Sequence, residues 1–464
     1  MKSLIIYILI LIPCLSVSGQ NSDTKYAMPL PEVLKQIEMR FNITLSDPDK
    51  LTEGDTLTYA MWRFRVSLDE TLKNILLPFD LTYEKKSENK YKIKKYQYHR
   101  LTVEEGKEKL NYLAGFYNDK QSWEARRSEL KACILKALLL DTMPAKPASK
   151  PILRNKRKLD GYTIENFALE TLPGYYVCGS IYRPAKIKGK IPVILCPMGH
   201  FNRGRYGDDE QKLCASFARM GAIAVSYDLL GYGESLLQFK PEDHRRSLTQ
   251  TIQTLNTIRI FDYILSLPEA DTQRVAITGA SGGGSQTMLI SAIDNRIKVS
   301  VPVVMLSCIH YGGCPCESGQ PIHLCGNGTN NVEIAAMFAP KPQLVVSDGG
   351  DWTANVPVLE YPFLKRIYGF YNDTSNLENK HFPNGHHNYN FSKREVVYDF
   401  MVKYLDLNIA AIQNKKGEID ESFCTVEEPK EMYVFGDHGE FLPSNAIKGF
   451  DELTRVFYQT KSKK

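Results

Sequence analysis

The stretch Arg274-Val-Ala-Ile-Thr-Gly-Ala-Ser-Gly-Gly-Gly-Ser-Gln286 runs an apolar strand directly into a glycine-rich turn with one serine at its apex. Within it, Gly279-Ala280-Ser281-Gly282-Gly283 fits G-x-S-x-G, the pattern that seats a serine on a tight strand-to-helix turn. Side chains two residues to either side of such a serine would collide with neighbouring backbone, and glycine removes the collision. The turn exposes the Ser281 hydroxyl at the C-terminal end of its strand and aims the Gly282 N–H at the place where an oxyanion would form. Similar turns cradle phosphates and dinucleotides. The chain, however, carries neither G-x-x-x-x-G-K-[ST] nor G-x-G-x-x-G, so a serine nucleophile is the preferred reading.

The flanking segments support it. Ile191-Pro-Val-Ile-Leu-Cys196 and Ala222-Ile-Ala-Val-Ser-Tyr-Asp228 are short apolar runs of the kind buried in a parallel sheet, with helix-like segments between them. The first leads into Pro197-Met-Gly-His-Phe-Asn-Arg-Gly204, where Gly199 and His200 occupy the loop that would supply a second oxyanion donor. The second leads into Asp228-Leu-Leu-Gly-Tyr-Gly-Glu-Ser235. This succession of strand, glycine-histidine loop, strand, D-x-x-G-x-G-E-S, long helix, strand and G-x-S-G-G resembles the α/β-hydrolases, and among them the acetyl xylan esterase-like and glucuronoyl esterase-like branches. The resemblance covers about residues 160–405. It implies an α/β fold with a mostly parallel central sheet flanked by helices, and an acid and a histidine that follow the serine in chain order.

Both are present downstream. Pro342-Gln-Leu-Val-Val-Ser347 reads as a further buried strand and ends in Asp348-Gly-Gly-Asp-Trp-Thr353. The family's aspartate-tryptophan-threonine turn matches Asp351-Trp352-Thr353, which favours Asp351 as the acid; Asp348 and Glu317 are held in reserve, with a turn-forming and a loop role as their simpler readings. His381-Phe-Pro-Asn-Gly-His-His-Asn-Tyr-Asn390 holds three of the nine histidines in a loop rich in turn formers, ahead of a helical pattern from Lys393 to Tyr404. His387 matches the family's histidine-asparagine-tyrosine pattern, and His386 is the next choice. In the implied mechanism His387 takes the Ser281 proton, Asp351 orients the imidazole, and Gly282 N–H with the loop around His200 binds the oxyanion, about 3–4 kcal/mol per donor. It calls for no metal and no organic cofactor.

A chain of 464 residues with 43% hydrophobic content has enough apolar material for more than one domain. Residues 1–19 read as a signal peptide: Met1-Lys2-Ser3, an apolar core from Leu4 to Leu15, and Val17-Ser18-Gly19 before Gln20. That predicts export, with the periplasm as the first expectation; secretion, or a lipoprotein through Leu11-Ile12-Pro13-Cys14, is the alternative. No later segment reaches the roughly 20 apolar residues of a membrane span. The net charge of +5 is modest and its lysine-rich stretches form no single basic face, so nucleic-acid binding has little support.

Residues 26–96 read as a separate module. Leu30, Val33, Leu34, Ile37 and Phe41 recur at helical spacing before Asn42-Ile-Thr-Leu-Ser46; Ser67 and Glu70 form an S-x-x-E start for a second helix; Leu81-Thr-Tyr-Glu and Tyr91-Lys-Ile-Lys94 read as a hairpin. The pattern resembles the secretin and TonB short N-terminal domain, and implies either docking to an envelope protein or a glycan, or a passive domain that shields or positions the enzyme. Residues 101–150 read as a helical linker closed by Pro144 to Pro151, residues 151–407 as the hydrolase, and 408–464 as an extension without a motif.

Cys308, Cys314, Cys316 and Cys325 cluster with His310 and His323. Disulfides are the expectation in an exported protein, with zinc as the alternative for that mixture of ligands. Trp352, Tyr389 and Arg203 (or Arg205) are candidate substrate contacts, because aromatics can stack on sugars and an arginine can bind a uronate. The reading is therefore an exported serine esterase acting on acetyl or uronate esters of plant polysaccharides. The alternatives are a serine peptidase of the prolyl oligopeptidase type and a non-catalytic envelope binding protein on the same fold.

Overall fold

A computed structural model describes residues 27–58, 64–76, 79, 81–95 and 100–461; the expected signal peptide lies outside these residues. The N-terminal module holds β1 (Ala27–Pro29), α1 (Leu30–Phe41), β2 (Thr44–Ser46), β3 (Thr56–Thr58), α2 (Leu68–Leu76), β4 (Leu81–Ser87) and β5 (Lys90–Lys95). β4 and β5 form the expected antiparallel hairpin, β2 joins β5 in parallel, and β1 pairs with β3. Leu30, Val33, Leu34 and Ile37 of α1 pack with Leu72, Ile75 and Leu76 of α2 and with Leu81 and Ile93, a core separate from that of the hydrolase.

Two capped helices follow, α3 (Val103–Ala114) and α4 (Lys120–Ala137), each opened by a capping box, from Thr102 and from Asp119. They carry Leu110, Leu113, Trp123, Leu130 and Ile134 into the hydrolase core, and Cys133 of α4 is disulfide-bonded to Cys325. A disulfide expected within the 308–325 segment thus reaches out of it, across 192 residues.

The hydrolase is built on nine strands: β6 (Ile152–Lys158), β7 (Tyr162–Leu172), β8 (Tyr175–Pro184), β9 (Ile191–Pro197), β10 (Ile223–Tyr227), β11 (Ala270–Ala280), β12 (Val299–Val303), β13 (Gln343–Asp348) and β14 (Leu377–Phe382). Their order is β14-β13-β12-β11-β9-β10-β8-β7-β6. The run from β14 to β10 is parallel, and β8, β7 and β6 continue it antiparallel. Alternate residues of β9 explain why these strands read as unbroken apolar runs: Val193 and Leu195 belong to the core on one face, Ile194 and Cys196 to the core on the other. Helices α5 (Asp208–Arg219) and α6 (Leu248–Leu265) fall between the strands, followed by α7 (Gly282–Ile293), α8 (Asn331–Ala336), α9 (Glu360–Gly369) and α10 (Phe391–Leu405). After β9 the chain steps to β10 on one side and then to β11 on the other. In parallel α/β sheets the crevice for ligands opens at such a switch point, beyond the C-terminal ends of the strands.

The histidine loop expected from His381 onward loses His381 and Phe382 to the strand β14. Its residues Leu-Glu-Asn-Lys-His-Phe are largely polar because β14 is an edge strand with limited burial. His381 is consequently a strand residue bonded to Ser347 Oγ at 2.9 Å, and the histidine loop begins only after Phe382.

The D-x-x-G-x-G-E-S motif is explained by a buried cation. Arg205 Nε donates to Asp228 Oδ1 (2.9 Å), Nη2 to Glu234 Oε2 (2.8 Å), and Nη1 to Ser180 Oγ and to the Met432 carbonyl. Glu234 Oε1 in turn accepts the Val434 and Phe435 N–H groups. The C-terminal extension is thereby fastened to the hydrolase, and its terminal helix α11 (Phe450–Lys461) adds Phe450, Leu453 and Phe457 to the main core. Arg205 is thus an internal anchor and not a substrate contact. Replacing Arg205 by Met strands two buried carboxylates and is expected to cost about 3–5 kcal/mol in urea unfolding. Arg203→Ala removes only an exposed pair with Asp208 and is expected to cost less than about 1 kcal/mol.

Candidate active site

The serine turn stands at the switch point. Cβ atoms on Gly279 or Gly283 would collide with the Pro197 carbonyl oxygen at the end of β9, so both positions require glycine. Ser281 has φ 56° and ψ −124°, a region a non-glycine residue seldom occupies. Its N–H bonds to the Val303 carbonyl and its carbonyl accepts the Ser285 N–H of α7. Gly282 begins α7, so its N–H is among the free donors of that helix. The His200 ring lies directly against Gly282, where a Cβ would stand 2.7 Å from the ring. His200 thus belongs to the serine turn's wall. Its Nε2 lies 2.9 Å from His244 Nε2 and 3.0 Å from Cys316 Sγ, so the ring is committed there and an oxyanion donor from this loop would be main chain.

The acid and the histidine meet. His387 Nδ1 and Asp351 Oδ2 are 2.5 Å apart. Oδ1 of Asp351 accepts the Thr353 N–H (2.7 Å) and hydroxyl (2.6 Å), which accounts for the threonine after the tryptophan. Burial works to raise the Asp351 carboxyl, but the hydrogen bonds from His387 and Thr353 outweigh it and hold it below its ordinary value. Gly349 and Gly350 let the acid turn press on the histidine loop: a Cβ on Gly349 would strike the Pro383 carbonyl and one on Gly350 would lie 2.5 Å from the Gly385 carbonyl.

The reserve acids serve elsewhere. Asp348 is buried and paired with Lys393, whose Nζ lies 2.7 Å from its Oδ2. The same ammonium donates to the carbonyls of His386 and Asn388, on either side of His387. Nothing in the sequence marks Lys393 for this role, since a lysine in the first turn of α10 reads as a solvated residue. Glu317 accepts from Ser285 Oγ and the Gly313 N–H, both at 2.6 Å. Tyr389 is buried and its hydroxyl bonds to Thr278 of β11 at 2.7 Å, so it packs the sheet and is not a substrate contact. Trp352 stays half-buried, its ring 4.5 Å from that of His387 and 4.3 Å from that of His310.

The local cysteine and histidine grouping expected from sequence is not the one formed. Cys325 is in the disulfide, and Cys308 and His310 face the core near Glu360 and Trp352. Cys314 and Cys316 instead converge on His200 and His244.

The acetyl xylan esterase (AXE1) family matches residues 154–311. The acetyl esterase Axe7A of Xylanibacter ruminicola is 25% identical over 173 residues, 32% of this chain and 38% of that protein, so well under two thirds of that relative's length is matched. A glucuronoyl esterase from Solibacter usitatus superposes with a TM-score of 0.45 at 17% identity, over 61% of this chain and 93% of that one. The nine-stranded fold and the family match define the class, an α/β-hydrolase of the carboxylic ester hydrolases. The solved structure of methylesterase BT1017 is 48% identical with a TM-score of 0.75, over 96% of this chain and 100% of that one. The chain belongs to the same family as that methylesterase.

Two outcomes follow from this geometry. Lys393→Met is expected to destabilise by about 3–5 kcal/mol by stranding Asp348 and to lower kcat at least about tenfold through the loosened His387 loop; adding Asp348→Asn recovers the stability in urea unfolding and leaves kcat low. The second concerns acid. Burial first, then the charges of Arg100 and His387, depress His310 to about 4 from its ordinary 6.5. Between those values the unfolded chain binds the extra proton, so stability present above pH 6.5 is lost as pH falls to about 4. His310→Phe is expected to show a shallower fall of Tm across that window.

Proposed function

We propose that the chain is an exported carbohydrate esterase that uses Ser281, His387 and Asp351 to hydrolyse a methyl ester of a uronate. The observation that carries the reading is the Asp351–His387 hydrogen bond at the C-terminal ends of β13 and β14, on the sheet edge where β11 presents Ser281. Methyl specificity rests on the methylesterase at 48% identity. On a polysaccharide a methyl ester needs a sugar carboxylate as its acyl part, hence a uronate. An arginine at the rim suits an acidic polymer: the exposed Arg100 holds its guanidinium 5.6 Å from the Trp352 ring.

The reaction runs in two halves. Ser281 Oγ attacks the ester carbonyl as His387 Nε2 takes its proton, and Asp351 stabilises the imidazolium through Nδ1. Gly282 N–H and a main-chain donor of the 198–201 loop bind the oxyanion. The tetrahedral intermediate collapses, methanol leaves with the proton from His387, and the uronoyl group remains on Ser281. Water then attacks, gives a proton to His387, and the uronate departs as Ser281 regains it. In the same reading residues 26–96 form a docking module toward an envelope component or a glycan.

The test is methanol release from a methyl-esterified polyuronate beside acetate release from acetylated xylan. Methanol without acetate is the expected result. Acetate alone moves the assignment to acetyl esters, and no turnover of either polymer or of p-nitrophenyl acetate supports the binding-protein alternative. Ser281→Ala and His387→Ala are each expected to reduce methanol release by roughly 10⁴–10⁶-fold and Asp351→Asn by about 10⁴-fold. Asp348→Asn alone, which leaves the Lys393 contacts to the histidine loop in place, is expected to cost far less activity than Asp351→Asn and so tells the two aspartates apart.

A further inference from the structure

Behind the serine turn, four metal-ligating side chains from three separate loops point at one spot. His200 follows β9, His244 follows the D-x-x-G-x-G-E-S segment, and Cys314 and Cys316 follow β12. Their ligand atoms lie within 4.8 Å of one another. Cys314 Sγ is 3.3 Å from His200 Nε2 and 3.2 Å from His244 Nε2, Cys316 Sγ is 3.0 Å from His200 Nε2, and the two Nε2 atoms are 2.9 Å apart. His244, Cys314 and Cys316 are buried and His200 is nearly so.

We infer that His200, His244, Cys314 and Cys316 bind one zinc ion, as a closed Cys2His2 centre packed against the nucleophile turn. Donor type agrees: two sulfurs and two imidazole nitrogens are the soft-to-borderline set that zinc takes tetrahedrally in structural sites. Distance agrees as well, since a regular tetrahedron with the usual zinc bond lengths separates its donors by about 3.3–3.8 Å, and a small outward relaxation of the present cluster reaches that. The supporting partners are also in place. The Nδ1–H of His244 donates to the Leu230 carbonyl at 2.7 Å, which leaves the Nε2 lone pair facing the centre. His200 Nδ1 has the Glu317 carboxylate 3.9 Å away, and Glu317 is itself held by Ser285 and Gly313. Charge agrees too: two thiolates neutralise the dication, so the centre tolerates burial.

All four positions are filled by protein, so the ion has no open site for substrate or water and takes no part in the ester chemistry. Its role is positional. It ties the loop after β9, which flanks Gly282, to two segments far from it along the chain, and so fixes the donors around the oxyanion.

The experiment is elemental analysis of the purified full-length protein, with cobalt substitution as a second readout. About one zinc per chain is expected. Cobalt(II) added to reduced, metal-stripped protein is expected to give the intense visible bands and thiolate charge-transfer absorption of a tetrahedral site. Cys314→Ser with Cys316→Ser should lose both signals at unchanged far-UV circular dichroism, and Cys424→Ser should keep both. Metal below about a tenth of an equivalent with no cobalt spectrum, or a Cys314–Cys316 disulfide found by peptide mapping, overturns the proposal. These readouts do not depend on turnover, so they stand or fall separately from the esterase reading.

Discussion

The architecture of the site depends on how closely two backbones approach at the switch point. The Pro197 carbonyl, at the end of β9, occupies the space that Cβ atoms of residues 279 and 283 would need. With no side chain between them, the turn after β11 can fold over the end of β9 and leave Ser281 in its strained conformation, a local cost of order 1–3 kcal/mol. A large two-faced core offsets it, because strands β9, β10 and β12 and the C-terminal half of β11 are buried on both sides. The same approach fixes which loop lies against the serine turn. A Cβ on Gly199 would stand 2.5 Å from the Ala280 carbonyl, so the loop after β9 is pressed on the serine turn along its main chain.

Two buried cations then govern the loops that this approach leaves free. Arg205 gathers Asp228, Glu234 and the Met432 carbonyl, and Lys393 gathers Asp348 with the carbonyls beside His387. Buried ion pairs add little net stability over an apolar core, but their removal on one side is costly, and a charge with several directed partners admits few arrangements. Here the cations act as geometric constraints: one fastens the C-terminal extension, the other sets the height of the histidine loop above the sheet.

These features also mark where sequence reading succeeds. Strands β9, β10, β11 and β13, helices α1, α4 and α10, and the pairing of Asp351 with His387 were legible, because apolar runs, caps and chain order are local or ordinal signals. What failed was direction. Arg205 and Tyr389 stand beside candidate site residues, yet point into the core, and a string of residues does not say which way a loop side chain turns. Strand β14 was missed because an edge strand lacks the continuous apolar signature of its neighbours. The cysteine grouping failed for a related reason: Cys316 meets His200 across 116 residues and Cys314 meets His244 across 70, so proximity along the chain was a poor guide to proximity in space.

The histidines show how one side chain is assigned different work by its second nitrogen. His381 is held by Ser347 Oγ, a neutral partner, and His310 packs against Trp352 with no hydrogen-bond partner for either ring nitrogen among the described residues. For His310 burial opposes an imidazolium outright. His244 gives Nδ1–H to a carbonyl and turns Nε2 into a closed cluster, an arrangement for holding a ligand in place. His387 alone of these four has a carboxylate on Nδ1, while its side chain keeps partial contact with solvent. A general base needs both, a fixed anion to stabilise the proton it receives and an open face from which to receive it. The partners of the ring, more than its place in the loop, are what favour His387 for proton transfer.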